Sequence, residues 1–166
     1  MRVLVTYGSS NGSTAGLAEM IADALRSHGI ATTVADASSD PDPGRVEAVV
    51  VGGALYGMRW HKDARRYVTR HIDELESMPV FFFSSGPLDD RAERSEIPPV
   101  GGVHALMERV GATSHATFGG RLAPDGGFVS SRITEQAAAD YRDADHVSLW
   151  VTSVAARLVR ATAASH

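Results

Sequence analysis

Residues 3–14 read VLVTYGSSNGST, a short apolar run that passes directly into a turn crowded with glycine, serine, threonine and asparagine. The apolar run has the composition of a buried β-strand, and residues 13–28 carry apolar side chains at the 3.6-residue period of an amphipathic helix. The turn between them contains no lysine, arginine or acidic residue. The chain therefore opens with a strand, a polar but uncharged turn, and a helix.

The same alternation of strand and helix continues along the chain. Short apolar runs predict the strands, and apolar stripes at helical spacing predict the helices between them. Five strands are predicted, at residues 2–6, 32–35, 48–52, 79–85 and 115–118. Helices are predicted at residues 13–28, 62–76, 102–110 and 143–162, with a charged loop at 89–96 and mixed loop and helix over 119–141.

This order of elements predicts one α/β domain over residues 1–166, a three-layer sandwich with a parallel sheet between two layers of helices. Right-handed crossovers and the chain length favour a five-stranded sheet of order 2-1-3-4-5. Ligands in such sheets bind beyond the carboxyl ends of the strands, next to strand 1. The loops expected at that place are residues 8–14, 53–61 and 85–98.

Composition argues against several classes of protein. A formal net charge of −4 and a pI of about 5.9 disfavour a nucleic-acid binder, which needs a basic surface. The absence of cysteine excludes thiol catalysis and disulfides, and the histidines lack metal-ligand spacing, so no metal site is predicted. No run approaches the roughly 20 apolar residues of a membrane span. We expect a soluble, cytoplasmic protein, with peripheral attachment to a membrane left open.

The turn at residues 8–14 is suited to binding a phosphate group. A helix N-terminus presents unpaired N–H groups and the positive end of the helix dipole, and hydroxyl and amide side chains add further donors. Glycine lets the backbone approach a ligand closely. The uncharged turn can therefore hold a monophosphate through hydrogen bonds alone, with the candidate residues Ser9, Ser10, Asn11, Gly12, Ser13 and Thr14.

Competing interpretations of this turn fit less well. It has no lysine for a Walker A loop, and glycines 8, 12 and 16 lack the dinucleotide-binding spacing. Residues 8–12 match the Gly-x-Ser-x-Gly nucleophile elbow, but only one strand precedes them. Glycines and Ser9 stand where a response regulator would carry its acidic residues. A helix cap without any ligand is the remaining alternative.

Several segments together resemble one protein family. The Ser/Thr-rich turn resembles the phosphate loop of flavodoxins. Further segments resemble the branch of the flavodoxin-domain family that contains menaquinone-dependent protoporphyrinogen IX dehydrogenase: VVVGGALYG at 49–57, His61, SMP at 77–79, FGGRL at 118–122 and DYRD at 140–143. The resemblance covers essentially the whole chain and implies a single flavodoxin-like, FMN-binding domain.

The resemblance implies that FMN places its phosphate on the first loop and its ring system between the second and third loops. Tyr56 and Trp60 offer flat faces for stacking on the ring, although Trp60 could instead pack beneath the following helix. His61 is a candidate proton donor to a substrate, or simply the first residue of that helix. The remaining expected ring contacts are Ala54, Leu55, Gly57, Ser84, Ser85 and Gly86.

Two functions follow from the resemblance. The first is an FMN-dependent oxidoreductase that takes hydrogen from an organic substrate, such as a porphyrinogen, and passes it to a quinone. The second is a flavodoxin-type electron carrier that exchanges electrons with redox proteins. The insert at residues 121–141 is nearly neutral, so it lacks the clustered positive charge that would attract a membrane surface. The sequence does not determine the oligomeric state.

Overall fold

The computed structural model describes residues 1–9, 12–56, 58–86, 97–112, 114–119 and 144–164. In these ranges the strands are β1 (Arg2–Gly8), β2 (Ala31–Asp36), β3 (Ala48–Tyr56), β4 (Arg59–Trp60), β5 (Val80–Ser85) and β6 (Ser114–Phe118). The helices are α1 (Ser13–Ser27), α2 (Lys62–Arg70), α3 (Ile72–Leu75), α4 (Gly101–Val110) and α5 (Ala144–Ala164). Two short 3₁₀ turns, Ala37–Ser39 and Pro43–Arg45, lie between β2 and β3.

The sheet confirms the predicted α/β fold and strand order. Its path is β2-β1-β3-β5-β6, with every pair along the path parallel, which is 2-1-3-4-5 when the parallel strands are counted in chain order. The sequence did not predict β4, a two-residue strand that pairs antiparallel with the end of β3. The order reverses at β1, so the carboxyl ends of β1 and β3 lie side by side, with Gly8 paired to Gly53.

The strands are apolar on both faces because helices cover the sheet from both sides. Val50 and Phe83 face a core that α1 and α5 complete. Val51 and Phe82 face a second core that α2 and α4 complete. Neighbouring residues of one strand therefore belong to different cores, which explains why these strands appear in the sequence as continuous apolar runs.

Two predicted boundaries differ from the structure. The helix predicted at residues 62–76 is interrupted at His71, whose backbone (φ −111°, ψ 26°) leaves the helical region. The His71 ring lies 2.6 Å from a carboxylate oxygen of Asp40, a contact with the loop after β2 that local helical periodicity does not encode. The strand predicted at 48–52 continues to Tyr56, because β4 and β5 provide pairing partners for its last residues.

Some predicted segments lie outside the described residues. They are the loop at 89–96, residues 120–141 of the insert, and the site residues Ser10, Asn11 and Gly57. In the part of the chain that the structure describes, no helix combines the length and the apolar character needed to cross a membrane.

Candidate functional site

The start of α1 presents backbone donors without a side-chain cap. Gly12 occupies the N-cap position in the left-handed region (φ 79°), where glycine carries no steric penalty, and it has no side chain with which to cap the N–H groups of the first turn. The first turn of α1 contains no acidic residue. Ser9 approaches this turn from the end of β1, and its hydroxyl oxygen accepts a hydrogen bond from the Gly12 N–H at 3.2 Å. The geometry keeps the positive end of the helix free of competing negative charge.

Thr14 is the most informative residue of this turn. Its side chain is fully buried, yet the hydroxyl oxygen Oγ1 has no hydrogen-bond partner among the described residues. Buried polar groups are nearly always paired, and an unpaired one costs about 1–3 kcal/mol. An unpaired hydroxyl in the first turn of a helix is therefore a feature that a bound anion would satisfy.

The first and second loops meet at Gly8. A Cβ atom at this position would lie 2.8 Å from the Ala64 nitrogen and 2.9 Å from Nδ1 of His61. Only glycine allows β1 to end this close to the start of α2. The turn that we predict to bind phosphate therefore begins, at Gly8, next to His61 and the first turn of α2.

His61 joins the end of β3 to the start of α2. Its backbone N–H donates to the Ala54 carbonyl oxygen at 2.8 Å, and its Nδ1 accepts from the Asp63 N–H at 3.1 Å, which caps α2. Acceptance at Nδ1 places the hydrogen of the ring on Nε2. The side chain is 7% exposed, and its ring centroid lies 5.9 Å from that of Tyr56. The helix-starting role considered for His61 is therefore observed, while its role as proton donor stays a prediction.

The second loop presents apolar side chains to solvent. Tyr56 is 43% exposed at the end of β3, and Met58 is 77% exposed. Met58 adopts a φ of 65°, which is uncommon for a residue other than glycine. Tyr56 is therefore accessible at the carboxyl end of β3, and its stacking on a planar ligand stays a prediction.

Trp60 does not present a face to a ligand in this structure. It is 2% exposed, its ring packs at 5.0 Å from Phe82, and its Nε1–H donates to the Phe83 carbonyl oxygen at 3.3 Å. The indole lies directly on Gly53, where a Cβ would come within 2.6 Å of the ring. Of the two roles considered for Trp60, the structure places the residue in the core beneath α2, because β4 turns the side chain back onto the sheet.

The third loop begins at the end of β5 and lies beside the second. The backbone of Gly86 (φ 133°) donates to the Phe118 carbonyl oxygen at 2.8 Å, and the position of its missing Cβ lies 3.7 Å from Cβ of Leu55. Ser84 and Ser85 are buried. The structure therefore brings Leu55, Ser85 and Gly86 together at the carboxyl edge of the sheet.

Sequence reasoning assigned no role to His115, which the structure places beside the third loop. Nε2 of His115 lies 2.9 Å from the hydroxyl oxygen of Ser84, and Nδ1 is buried without a partner. Burial lowers the pKa of His115 to about 4, so the ring is neutral at physiological pH. No motif in the sequence indicates this contact with Ser84. The alternation of side chains along a strand predicts only that His115 lies on one face of the sheet.

Comparisons with known proteins agree with this architecture. Residues 4–126 match a family model described as a flavodoxin domain. Among curated proteins, protoporphyrinogen IX dehydrogenase [quinone] of Escherichia coli K12 is 28% identical over 86 residues, which cover 51% of this chain and 48% of that protein. The chain thus spans about half the length of the curated relatives it matches.

Two solved structures have the same fold at low sequence identity. A flavodoxin of Streptococcus pneumoniae gives a TM-score of 0.59 at 14% identity, covering 95% of this chain and 99% of that chain. A Fusobacterium nucleatum flavodoxin mutant bound to flavin mononucleotide gives 0.52 at 13% identity, covering 91% and 93%. At such identities the likeness establishes the fold.

Proposed function

Because this chain belongs to the flavodoxin-domain family, we propose that its single domain is an FMN-dependent oxidoreductase whose site lies at the carboxyl edge of the sheet. FMN is the cofactor that the family and the FMN-bound flavodoxin neighbour support. The observation that carries the proposal is the buried, unpaired hydroxyl of Thr14 in a helix turn without acidic residues.

The first loop fits the phosphate of FMN. Thr14 offers its unpaired hydroxyl, and the uncapped N-terminus of α1 offers backbone N–H groups. Ser9 and Ser13 flank the same turn, and Ser10 and Asn11, outside the described residues, complete the predicted set. All of these donors are neutral, so hydrogen bonds and the helix dipole balance the charge of the phosphate.

The second and third loops fit the ring system of FMN. Tyr56 supplies an aromatic face at the end of β3, Ala54 and Leu55 precede it in the same strand, and Gly57, outside the described residues, completes the predicted set. The other side of the proposed ring site is formed by Ser84, Ser85 and Gly86. Their backbone groups would form hydrogen bonds with the polar edge of the flavin ring. When bound, FMN supplies the electron-transfer chemistry, and the chain positions it and controls access to it.

His61 is the residue that we assign to proton transfer. The Asp63 N–H donates to Nδ1, so the other ring nitrogen, Nε2, carries the hydrogen. His61 would donate this proton to a substrate and later take one back. The contact with Tyr56 holds the imidazole beside the proposed ring site. General acid–base catalysis needs both of these properties, a defined tautomer and a fixed position.

We place the reaction in the class of protoporphyrinogen dehydrogenation with a quinone as acceptor. Support comes from the curated relative in Escherichia coli, which matches about half of this chain. The alternative is a flavodoxin-type electron carrier, favoured by the exposure of Tyr56 and Met58 on the second loop, where a redox protein would dock. Both functions use the same FMN site.

Replacing Thr14 by Glu tests the cofactor site. A carboxylate at this position would repel the FMN phosphate but leave riboflavin, which lacks the phosphate, much less affected. Glutamate is favourable in the first turn of a helix, but Thr14 is fully buried, so circular dichroism first establishes that the variant is folded. Fluorescence titration should show FMN binding weakened by more than about a hundredfold, equivalent to roughly 3 kcal/mol. Unchanged FMN affinity in a folded variant would refute the phosphate assignment.

A second experiment separates the two functions. The FMN-loaded protein is mixed anaerobically with protoporphyrinogen IX, and the visible absorbance of the flavin is followed before and after addition of menadione. Bleaching by the porphyrinogen and recovery with the quinone would support the dehydrogenase. Absence of bleaching, together with rapid electron exchange with a redox protein, would favour the carrier.

A further inference from the structure

The segment that leads from the second loop into α2 is basic in an acidic protein. Residues 59–66 contain four basic side chains and one acidic side chain, whereas the whole chain has a formal net charge of −4. This segment, which borders the proposed flavin site, therefore carries a local net positive charge. Such a local field acts on approaching partners over about one Debye length, roughly 8–10 Å in physiological salt.

Three of these cations are exposed and available to a partner. Arg59, Lys62 and Arg66 are exposed, and none of them forms an ion pair with any residue in the described ranges. The one acidic residue of the segment, Asp63, directs its carboxylate toward His61, with Oδ2 at 3.7 Å from Nδ1. Asp63 therefore does not neutralise the exposed cations by direct pairing.

Exposed apolar side chains adjoin this basic segment in the chain and across the β3–β4 hairpin. Met58 is 77% exposed and Tyr56 is 43% exposed, and Tyr56 pairs with Arg59 across the β3–β4 hairpin. Lys62 and Arg66 are four residues apart on α2 and share one side of the helix. We name the combined surface the basic rim, formed by Tyr56, Met58, Arg59, Lys62 and Arg66.

We propose that the basic rim is the docking surface for an acidic electron-transfer protein that exchanges single electrons with the bound flavin. The proposal rests on the FMN site of the proposed function and deepens its electron-carrier alternative, because the rim borders the loop assigned to the flavin ring. Exposed apolar side chains beside unpaired charges are typical of a docking interface. The charges guide the encounter of the two proteins, and a small apolar contact stabilises the complex. In each exchange one electron moves between partner and flavin, and no atom is transferred.

The composition of α2 favours a protein partner over a lipid surface. A helix that lies in a membrane interface needs an apolar face directed outward. The apolar residues of α2, Ala64, Tyr67 and Val68, are all buried against the sheet. The exposed side of the helix offers charge and little apolar area, which suits an acidic protein surface.

Stopped-flow kinetics with a plant-type [2Fe–2S] ferredoxin of acidic pI test the docking surface. The reduced ferredoxin is mixed with the oxidised, FMN-loaded protein, and one electron passes from the cluster to the flavin. The bimolecular rate constant should fall as salt rises, because steering between opposite charges is screened. Lys62→Glu should lower the low-salt rate constant about tenfold and flatten its salt dependence.

Arg109→Glu is the matched control, since it changes the net charge of the protein by the same amount. Arg109 is exposed in the last turn of α4, at the opposite edge of the sheet from the flavin loops. This variant should change the rate constant less than twofold. Equal effects of the two substitutions, or a rate constant that rises with salt in the unmodified protein, would overturn the proposal, because net charge would then govern the encounter.

Anionic vesicles and the flavin spectrum complete the test. The protein is cosedimented with phosphatidylserine vesicles. If it binds the vesicles more strongly than the ferredoxin, and if Lys62→Glu abolishes that binding, the assignment of a protein partner is overturned. Flavin content is measured from the visible spectrum of each variant before the kinetics. A protein that takes up no FMN refutes the proposed function. An FMN-loaded protein whose rate constant does not respond to Lys62→Glu refutes only the docking surface.

Discussion

At the residue scale, Thr14 shows how a binding site can be recognised from an energetic cost. The side chain is completely buried, and its hydroxyl has no partner in the part of the chain that the structure describes. Burial of an unpaired hydroxyl destabilises the folded state relative to an apolar side chain of the same shape. We infer that the cost is offset when the phosphate of FMN accepts a hydrogen bond from this hydroxyl.

Thr14→Val tests this account because it should raise the stability of the FMN-free protein and lower its affinity for FMN. Valine keeps the shape of threonine but removes the hydroxyl, so the free energy of unfolding of the FMN-free protein should rise by about 1 kcal/mol in urea titrations. The affinity for FMN should fall about tenfold or more, because a hydrogen bond to a charged group is lost. The affinity for riboflavin should change less than about twofold. A less stable FMN-free variant would contradict the unpaired hydroxyl.

At the element scale, the packing of β3 against its neighbours explains why glycine follows its apolar run. Gly52 lies beneath the ring of Phe83, and Gly53 lies beneath the indole of Trp60. The two rings cover opposite faces of β3, one in each core. The missing Cβ atoms at these two positions let both rings pack directly against β3, although glycine weakens an isolated strand.

Gly52→Ala should be strongly destabilising. The new Cβ would lie 1.9 Å from Cζ of Phe83, so the ring or the strand must move. Overpacking of this kind costs about 1–3 kcal/mol or more. Gly102→Ala in α4 is the matched control, since no atom lies within 4 Å of the new methyl group, and it should raise stability by about 0.5 kcal/mol. Thermal and urea unfolding measure both, and similar values for the two variants would contradict the packing at Gly52.

At the scale of the whole molecule, burial of His115 links folding stability to pH. The pKa of His115 is lowered to about 4 by burial, against 6.5 for a solvated histidine. Between these two values the unfolded chain binds a proton that the folded protein excludes, so stability falls as the pH falls. The lowered pKa corresponds to a loss of about 3 kcal/mol, complete below pH 4.

His115→Gln should remove this dependence. Glutamine does not titrate, so the slope of unfolding free energy against pH between about 6.5 and 4 should decrease by up to about 1.4 kcal/mol per pH unit. The exposed residue His28 provides the control variant His28→Gln, which should leave the slope unchanged. Denaturant titrations at a series of pH values measure the slopes. Identical slopes in the unmodified protein and His115→Gln would contradict the burial effect.

The charge of the surface beside the proposed flavin site differs in sign from the net charge of the chain. The net charge of the chain is negative, but the exposed part of residues 59–66 is positive. From composition alone we would expect a redox partner to be basic. The fold brings this short basic segment to the edge of the sheet where the flavin loops meet, which leads to the opposite expectation for the partner.

The linear sequence was sufficient to predict the fold, the strand order and a glycine- and hydroxyl-rich turn between the first strand and the first helix, whose binding of phosphate stays a prediction. These features depend on local information: apolar runs for buried strands, helical periodicity, and a glycine- and hydroxyl-rich turn after the first strand. The same local information also predicted that Tyr56 and Gly86 lie at one edge of the sheet, because parallel strands end together. Family resemblance added FMN.

Only the tertiary structure decided the environment of the individual side chains. It placed Trp60 in the core, ended α2 at His71, and joined Ser84 to His115 across neighbouring strands. Each of these outcomes depends on a contact between residues distant in the chain or on a turn that reverses its direction. Periodicity reports which face of an element is apolar, but it carries no information about the atoms that will cover that face.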